Sequence, residues 1–423
     1  MPMTMSEKIL ARCANRTDAR AGEIVMAAVD CAMMDDILGP RVLDEPLQRL
    51  GGRICRPERA VVVCDHYTPA ATHDQADIVK YTRDWAVSHG LTNYFEGEGP
   101  CHQVLAENGF SLPGTLQVGT DSHTCTAGAF GCFGTGVGST EMAGVLATGE
   151  LWLRVPETLL FYWSGMLPQG VMAKDMILKM IGLIGHAGAT YCTMEFAGPT
   201  IEALPMDERM CISNMAVEAG AKAGLIAADN VTRAYLIEHD CSRGYHPLNS
   251  DPDAVYRSRY AFDASALEPQ VACPHQVDAV MSVRETAGAH VDQVYIGSCT
   301  GGRLTDLRAA AKVLRGHRIA SSCRLLVSPA SRRIWMEAER EGVLRTLAEA
   351  GATILAPTCG ACLGVHSGLL AGGETCVSTT NRNFKGRMGS ERSAVYLSSP
   401  LTAAATALRG VLTDPRDVLP GKL

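Results

Sequence analysis

Along the chain, short apolar runs rich in β-branched residues end in polar, glycine-marked turns, and helix-spaced segments follow them. "RAVVVCDHYTP", residues 59–69, is such a run, and it stops at Asp65 and His66. "DQVYIGSCTGGRLTDLRAAAKVL", residues 292–314, reads as strand, loop and helix, with Cys299 just past the strand and Thr305 or Asp306 near the helix start. "SCRLLVSPASRRIWMEAEREGVLRTLAEAGATILAPTCGACLG", residues 322–364, repeats the pattern and delivers Cys359 just past the next strand. This alternation predicts an α/β fold, in which polar chemistry gathers beyond the carboxyl ends of the strands. Cys299 and Cys359 both fall at such ends, so they are expected to meet although 60 positions separate them.

A length of 423 residues predicts two or three domains. The polar, proline-containing segment 249–276 reads as a linker, and a softer boundary falls at "RVPET", residues 154–158. The expected segments are therefore 1–156, 157–270 and 271–423, without internal repeats or low-complexity tracts.

Composition narrows the function classes. Aromatic residues make up only 5% of the chain, too few for a base-stacking platform, and the net charge of -7 argues against a binder of phosphate backbones. The opening "MPMTMSEKILARCANR" carries charges where a signal peptide needs an apolar stretch, and no apolar run reaches the ~18 residues of a membrane span. Sixteen cysteines are scattered mostly singly through apolar contexts, as expected of buried thiols in a reducing compartment. A cytoplasmic protein that engages neither nucleic acid nor membrane is the expectation.

Three groups of residues carry candidate chemistry. The first is Cys299 with the C-x-x-C pair Cys359 and Cys362. Such a set fits a structural zinc site completed by a histidine, an iron–sulfur cluster, or plain buried thiols, and spacing alone leaves all three open. Cys376 is the nearby candidate for a fourth thiol. The second group lies in glycine- or proline-marked loops: Asp65 and His66 in "CDHYTP", His102 in "GPCHQ", Asp121, Ser122 and His123 in "GTDSHTCTAGAFG", and Glu195 in "YCTMEFAGP". Carboxylate–histidine pairing holds a tautomer and raises basicity, which proton shuttling needs. The third group is "STTNRNFKGRMGS", where Arg382 and Arg387 flank an asparagine-rich turn and suit the carboxylates of a di- or tricarboxylate.

Together these stretches resemble the aconitase superfamily, nearest to the branch of separate large subunits of 3-isopropylmalate dehydratase and homoaconitase. The resemblance rests on "GTDSHTCTAGAFGCFGTGVGSTEMA", "MEFAGPTIEALPMDERMCISNMAVEAGAKAGL", "IGSCTGGR", "TCGACLG" and "STTNRNFKGRMGS", and spans residues near 20 to near 395. It implies a three-domain α/β core around a central iron–sulfur site, without the family's swivelling fourth domain. It also implies that Cys299, Cys359 and Cys362 ligate one [4Fe–4S] cluster per chain, leaving one iron without a cysteine. Three ion pairs are implied: Asp65 with His66, Asp121 with His102, and Glu195 with His123. Arg382 and Arg387, assisted by Asn381 and Ser122, are implied to bind the substrate carboxylates.

The implied chemistry is dehydration and rehydration of a hydroxy-dicarboxylate by a hydro-lyase, with 2-isopropylmalate, an intermediate of leucine biosynthesis, as the first substrate expected. Homoaconitate, citramalate and 2,3-dimethylmalate are the alternatives, and an iron- or redox-sensing RNA-binding protein is the alternative of another class. The family's base is a serine in an "SSRE"-like motif, which this sequence lacks, so a separate small subunit is expected to supply it. Two positions depart from the family's pattern. Gly301 stands where an asparagine is usual after "SCT", and Asp35–Asp36 stands where relatives have "HD".

Overall fold

The run Ala60–Cys64 is apolar at every position and buried throughout, as a strand covered on both faces must be. In the computed structural model, which describes residues 1–241 and 244–419, it lies inside a five-stranded sheet. The strand order there is Tyr94–Glu96, Ala60–Cys64, Cys31–Asp35, Leu116–Gly119 and Phe133–Gly136, and every neighbouring pair is parallel. Parallel strands put their carboxyl ends on one rim. The register pairs Asp35 with Val63 and Met33 with Gly119, so Asp35–Asp36, Asp65–His66 and Thr120–Asp121 all emerge along that rim.

A four-stranded sheet follows, in the order Ala223–Ile226, Thr193–Ala197, Thr158–Ser164 and Ser258–Asp263. A two-stranded antiparallel ribbon pairs Ile24–Ala28 with Glu150–Arg154. These elements belong to one compact unit made of Met1–Glu96, Cys101–Ser164 and Ala189–Phe262. Its main core is built on Met34, Val62, Val118, Phe133, Leu146 and Leu225, all buried.

The second unit comprises Gly97–Pro100, Gly165–Gly188 and the chain from Asp263 on. Its seven-stranded sheet has the order Val280–Ser282, Gln270–Ala272, Ala394–Ser398, Thr375–Ser378, Gln293–Ile296, Arg324–Val327 and Thr353–Ile354. The last five strands are parallel, whereas Gln270–Ala272 runs antiparallel to both its neighbours. Helices Leu304–Leu314 and Pro400–Arg409 bury Leu307, Ala310, Leu314, Ala403 and Ala407 with Val294 and Ile296 of the central strand.

The compact units number two and interleave along the chain. Helix Ala173–Ile184 explains the interleaving: it packs on Gln270–Ala272 and Val280–Ser282 of the seven-stranded sheet, although it lies in the middle segment of the sequence. No helix among the described residues is long and apolar enough to cross a membrane.

Candidate active site

In the first unit the rim of the five-stranded sheet gathers a continuous set of carboxylates and imidazoles. An Asp65 oxygen lies 2.8 Å from Nδ1 of His66, and the other Asp65 oxygen accepts the backbone N–H of Cys101 at 2.6 Å. Asp36 approaches the same ring nitrogen at 3.2 Å and accepts the backbone N–H groups of His66 and Tyr67 at 3.1 and 2.8 Å. Asp36 is therefore a second carboxylate on His66. Burial alone would raise its carboxyl, but hydrogen bonding to His66 and to the two N–H groups outweighs burial and lowers it. Its neighbour Asp35 is raised by burial and turns to other work, accepting the N–H groups of Ile37 and Leu38 and the Thr120 hydroxyl.

Asp121 is the hub of this set. It caps the short helix Ser122–Phe130 by accepting the His123 N–H at 2.6 Å, and the same oxygen lies 2.8 Å from Nε2 of His102. Nδ1 of His123 is 3.3 Å from that oxygen, and Nε2 of His66 is 4.0 Å from the other. Burial would raise the Asp121 carboxyl, but the charge of His102 and hydrogen bonds from His102 and His123 hold it well below the ordinary carboxylate range. Ser122, the first residue of that helix, is half-buried beside it.

The expected pairing of Glu195 with His123 is corrected by the structure. Nε2 of His123 lies 2.7 Å from Glu218, whereas Glu195 accepts hydroxyl hydrogen bonds from Ser250 and Tyr256, both at 2.8 Å. Burial raises the Glu195 carboxyl against these bonds. The Ser250 hydroxyl in turn accepts the N–H of Met5, so Glu195 ties the first helix, Met5–Cys13, to the strand Thr193–Ala197.

The second unit assembles the cysteine group. Cys299 sits on the single turn Ser298–Gly301, directly after the central strand. Ser298 adopts φ 75°, a left-handed conformation that costs a non-glycine residue of order 1–3 kcal/mol and is retained where the surroundings over-determine it. Cys359 and Cys362 frame the turn Gly360–Leu363. The Asn381 side chain spans the two segments, with its Oδ1 3.6 Å from Sγ of Cys362 and its Nδ2 3.8 Å from Sγ of Cys299. Burial, then the nearby charge of all three thiols, raises the Tyr295 hydroxyl, so this buried side chain feels each of them. Cys299 and Cys362 thus lie on opposite sides of one asparagine side chain.

Cys299 and Cys362 flank one asparagine, and Cys359 lies three positions before Cys362 on the same turn, a donor set of the kind that holds an iron–sulfur cluster. Among the described residues the groups tight enough for a single ion are His102–Asp121–His123 and Asp35–Asp36–His66, and neither contains a cysteine. Cys376 is fully buried inside the strand Thr375–Ser378, and burial pushes its thiol up, so it is a core thiol.

Arg387 is 9% exposed, and its Nη2 lies 4.0 Å from Sγ of Cys362 while its Nε is buried without a hydrogen-bond partner. An unsatisfied guanidinium N–H at such a place is a donor set waiting for an anion. Arg382 lies on the same loop and is half-buried. The loop is anchored by buried Lys174, whose ammonium donates to the carbonyls of Thr379 and Thr380 at 3.0 and 2.6 Å. Sequence reasoning missed Lys174, Glu218 and the role of Asp36. Glu218 is a lone charge in the apolar stretch "NMAVEAGA", and Lys174 stands with Asp175 as the charged pair of the apolar stretch "VMAKDMIL"; charges set among apolar residues were the signal.

Comparison with known proteins agrees with this geometry. The model of the aconitase family (aconitate hydratase) matches residues 7–290 and 284–410. The 3-isopropylmalate dehydratase large subunit 1 of Methanopyrus kandleri is 49% identical, covering 99% of this chain and all of that protein. The probable methanogen homoaconitase large subunit of Methanosarcina mazei is 48% identical over 93% of this chain and all of its own length. Among solved structures, aconitase X of Thermococcus kodakaraensis in its holo-form superposes with a TM-score of 0.52 at 11% identity, covering 87% of this chain and 88% of that one, a likeness of fold alone. By family match and by near-full-length identity, the chain belongs to the aconitase family.

Proposed function

We propose that the chain is the large subunit of a hydro-lyase that removes water from 2-isopropylmalate and re-adds it to give 3-isopropylmalate. The observation that carries this reading is the 49% identity to a 3-isopropylmalate dehydratase large subunit over essentially the whole of both chains. Cys299, Cys359 and Cys362 would hold one [4Fe–4S] cluster. When bound, the cluster supplies a Lewis acid, at an iron without a cysteine ligand, for the hydroxyl and one carboxylate of the substrate.

The chain's own residues supply binding and proton control. Arg387, with a buried N–H left to donate, and Arg382 bind carboxylate oxygens, and Asn381 fixes the segments that carry the thiols. His66, held by Asp65 and Asp36, gives a proton to the departing hydroxyl oxygen, which leaves as water. Asp121 orients His102 and His123, and Ser122 beside it assists in holding substrate. Glu195, bonded to Ser250 and Tyr256, braces the strand that bears it. A separate small subunit, as the relatives' designation of large subunit suggests, supplies the base that takes the carbon-bound proton.

The similar identity to a homoaconitase large subunit favours one second reading, a longer tricarboxylate as substrate. The test is turnover by the anaerobically reconstituted two-subunit enzyme on 2-isopropylmalate, homocitrate, citramalate and 2,3-dimethylmalate. A preference of about 10²-fold for 2-isopropylmalate supports the first reading, and the same preference for homocitrate the second. Absence of turnover on all four would overturn both.

A further inference from the structure

We propose that the buried hydroxyl of Tyr295 donates a hydrogen bond to sulfur at the Cys299–Cys359–Cys362 site and thereby raises the reduction potential of the cluster; the inference rests on the reading of those thiols given above. Tyr295 is fully buried, and among the described residues its hydroxyl finds no hydrogen-bond partner. A buried polar group left unpaired is rare and costly, so its partner is to be sought in what the site holds.

The fold aims this hydroxyl at the cysteines. Tyr295 lies on the strand Gln293–Ile296, whose Val294 and Ile296 face the core shared with helices Leu304–Leu314 and Pro400–Arg409. Alternation turns Gln293 and Tyr295 to the opposite face. There Gln293 donates through Nε2 to the Gly368 carbonyl at 2.8 Å, and a Cβ built on Gly368 would stand 3.8 Å from the Cβ of Ala361. The turn Gly360–Leu363, framed by Cys359 and Cys362, therefore lies over the face that bears Tyr295. A Cβ built on Gly297 would stand 2.9 Å from Cζ of Tyr295, the carbon that carries the hydroxyl. The phenol end thus reaches forward along the chain, beside the turn Ser298–Gly301 that carries Cys299. The Tyr295 carbonyl accepts the Thr379 N–H at 3.0 Å, which holds the strand in place under the ring.

What surrounds the hydroxyl is sulfur. Burial raises it, and the charges of Cys362, Cys359 and Cys299 raise it further, so it keeps its proton and stands as a donor. Ser328 opposes the rise, but its own hydroxyl proton goes to the Ala356 carbonyl at 3.0 Å. Hydrogen bonds to the sulfurs are among the factors that set the potential of an iron–sulfur cluster. A donor favours the form with more negative charge on sulfur, which is the reduced one. Phenylalanine would fill the same space without that donor.

The experiment compares the full chain and its Tyr295→Phe variant, both reconstituted anaerobically, by reductive titration followed by EPR. The variant should load iron and sulfide, and its one-electron reduction equilibrium should shift on the order of tenfold toward the oxidised form, about 59 mV to more negative potential. Without the cluster the variant should melt no lower than wild type, because it loses only an unpaired polar atom. A second measurement needs no variant: in wild type grown on ring-deuterated tyrosine, pulsed EPR of the reduced cluster should detect a deuteron close to it. A loaded Tyr295→Phe chain with the wild-type potential would overturn the proposal, as would a cluster without a nearby tyrosine deuteron. A cluster-free variant that melts lower than wild type would show that the hydroxyl is bonded within the chain, with the same consequence. A folded wild type that takes up no iron and sulfide would instead overturn the reading of the three thiols.

Discussion

A Cβ built on Gly301 would stand 2.3 Å from the Cβ of Thr379. The Thr379 hydroxyl bridges the carbonyls of Gly297 and Gly301 and accepts the N–H of Gly297, so Thr379 cannot swing away without losing the bonds that hold the Cys299 turn to the segment leading into Asn381 and Arg382. The departure from the family's asparagine is thus a packing relationship within this chain.

Gly301→Ala should accordingly destabilise the protein by about 1–3 kcal/mol. Gly301→Asn, the residue usual in relatives, should do at least as much harm. Adding Thr379→Gly to either should recover part of the loss, because the two sites are in contact. Thermal midpoints of the two singles and the double provide the check; strictly additive losses would contradict the pairing.

Lys174 is 2% exposed, and its ammonium donates to the carbonyls of Thr379 and Thr380, the two residues just before Asn381. Lys174→Met should leave both carbonyls short of a donor and cost about 1–3 kcal/mol. Since the freed loop carries Arg382 and Arg387, the arginines proposed to bind the substrate carboxylates, KM should rise more than kcat falls. Steady-state kinetics beside a urea unfolding curve would show both effects.

Burial pushes the Asp175 carboxyl up to about 7, against hydrogen bonds from the N–H groups of Gln270 and Met172. Its unfolded value is about 3.9, so the folded state binds the extra proton. The stability this group supports is complete below about pH 4 and is lost as pH rises to about 7. Unfolding midpoints of wild type and Asp175→Asn, measured between about pH 4.5 and 8, should show the wild-type advantage shrinking toward neutral pH. A gap that widens with pH would contradict the assignment.

Much of this was legible in the sequence because period and punctuation are local. The run Ala60–Cys64, the turns bearing Cys299 and Cys359, and the loop from Asn381 to Arg387 all announce themselves by apolar runs ending in glycine-marked turns. What the sequence did not disclose is long-range. The His123–Glu218 contact joins residues 95 positions apart, and a carboxylate in a 3₁₀ turn carries no periodic signature. The resemblance pointed to Glu195 instead, because position in a motif says nothing about which way Ser250 and Tyr256 draw a side chain. The interleaving of the two units likewise depends on helix Ala173–Ile184 packing on distant strands, which no boundary signal records.

The thiol geometry predicts a metal content. Anaerobic reconstitution should load about four irons and four sulfides per chain. Cys359→Ser should abolish them, whereas Cys241→Ser should not, since the Cys241 thiol donates to the His239 carbonyl in the other unit. Iron and sulfide analysis with EPR is the check, and a single retained zinc without sulfide would contradict it.

The most direct test of the whole account is hydration of the unsaturated dicarboxylate formed from 2-isopropylmalate, followed by ultraviolet absorbance, with the reconstituted chain alone and then with its small subunit. General-base catalysis contributes about 10²–10⁴-fold, so the chain alone should be nearly inactive and the added subunit should restore turnover. Full activity from the 423-residue chain by itself would place the base within it and contradict the two-subunit mechanism.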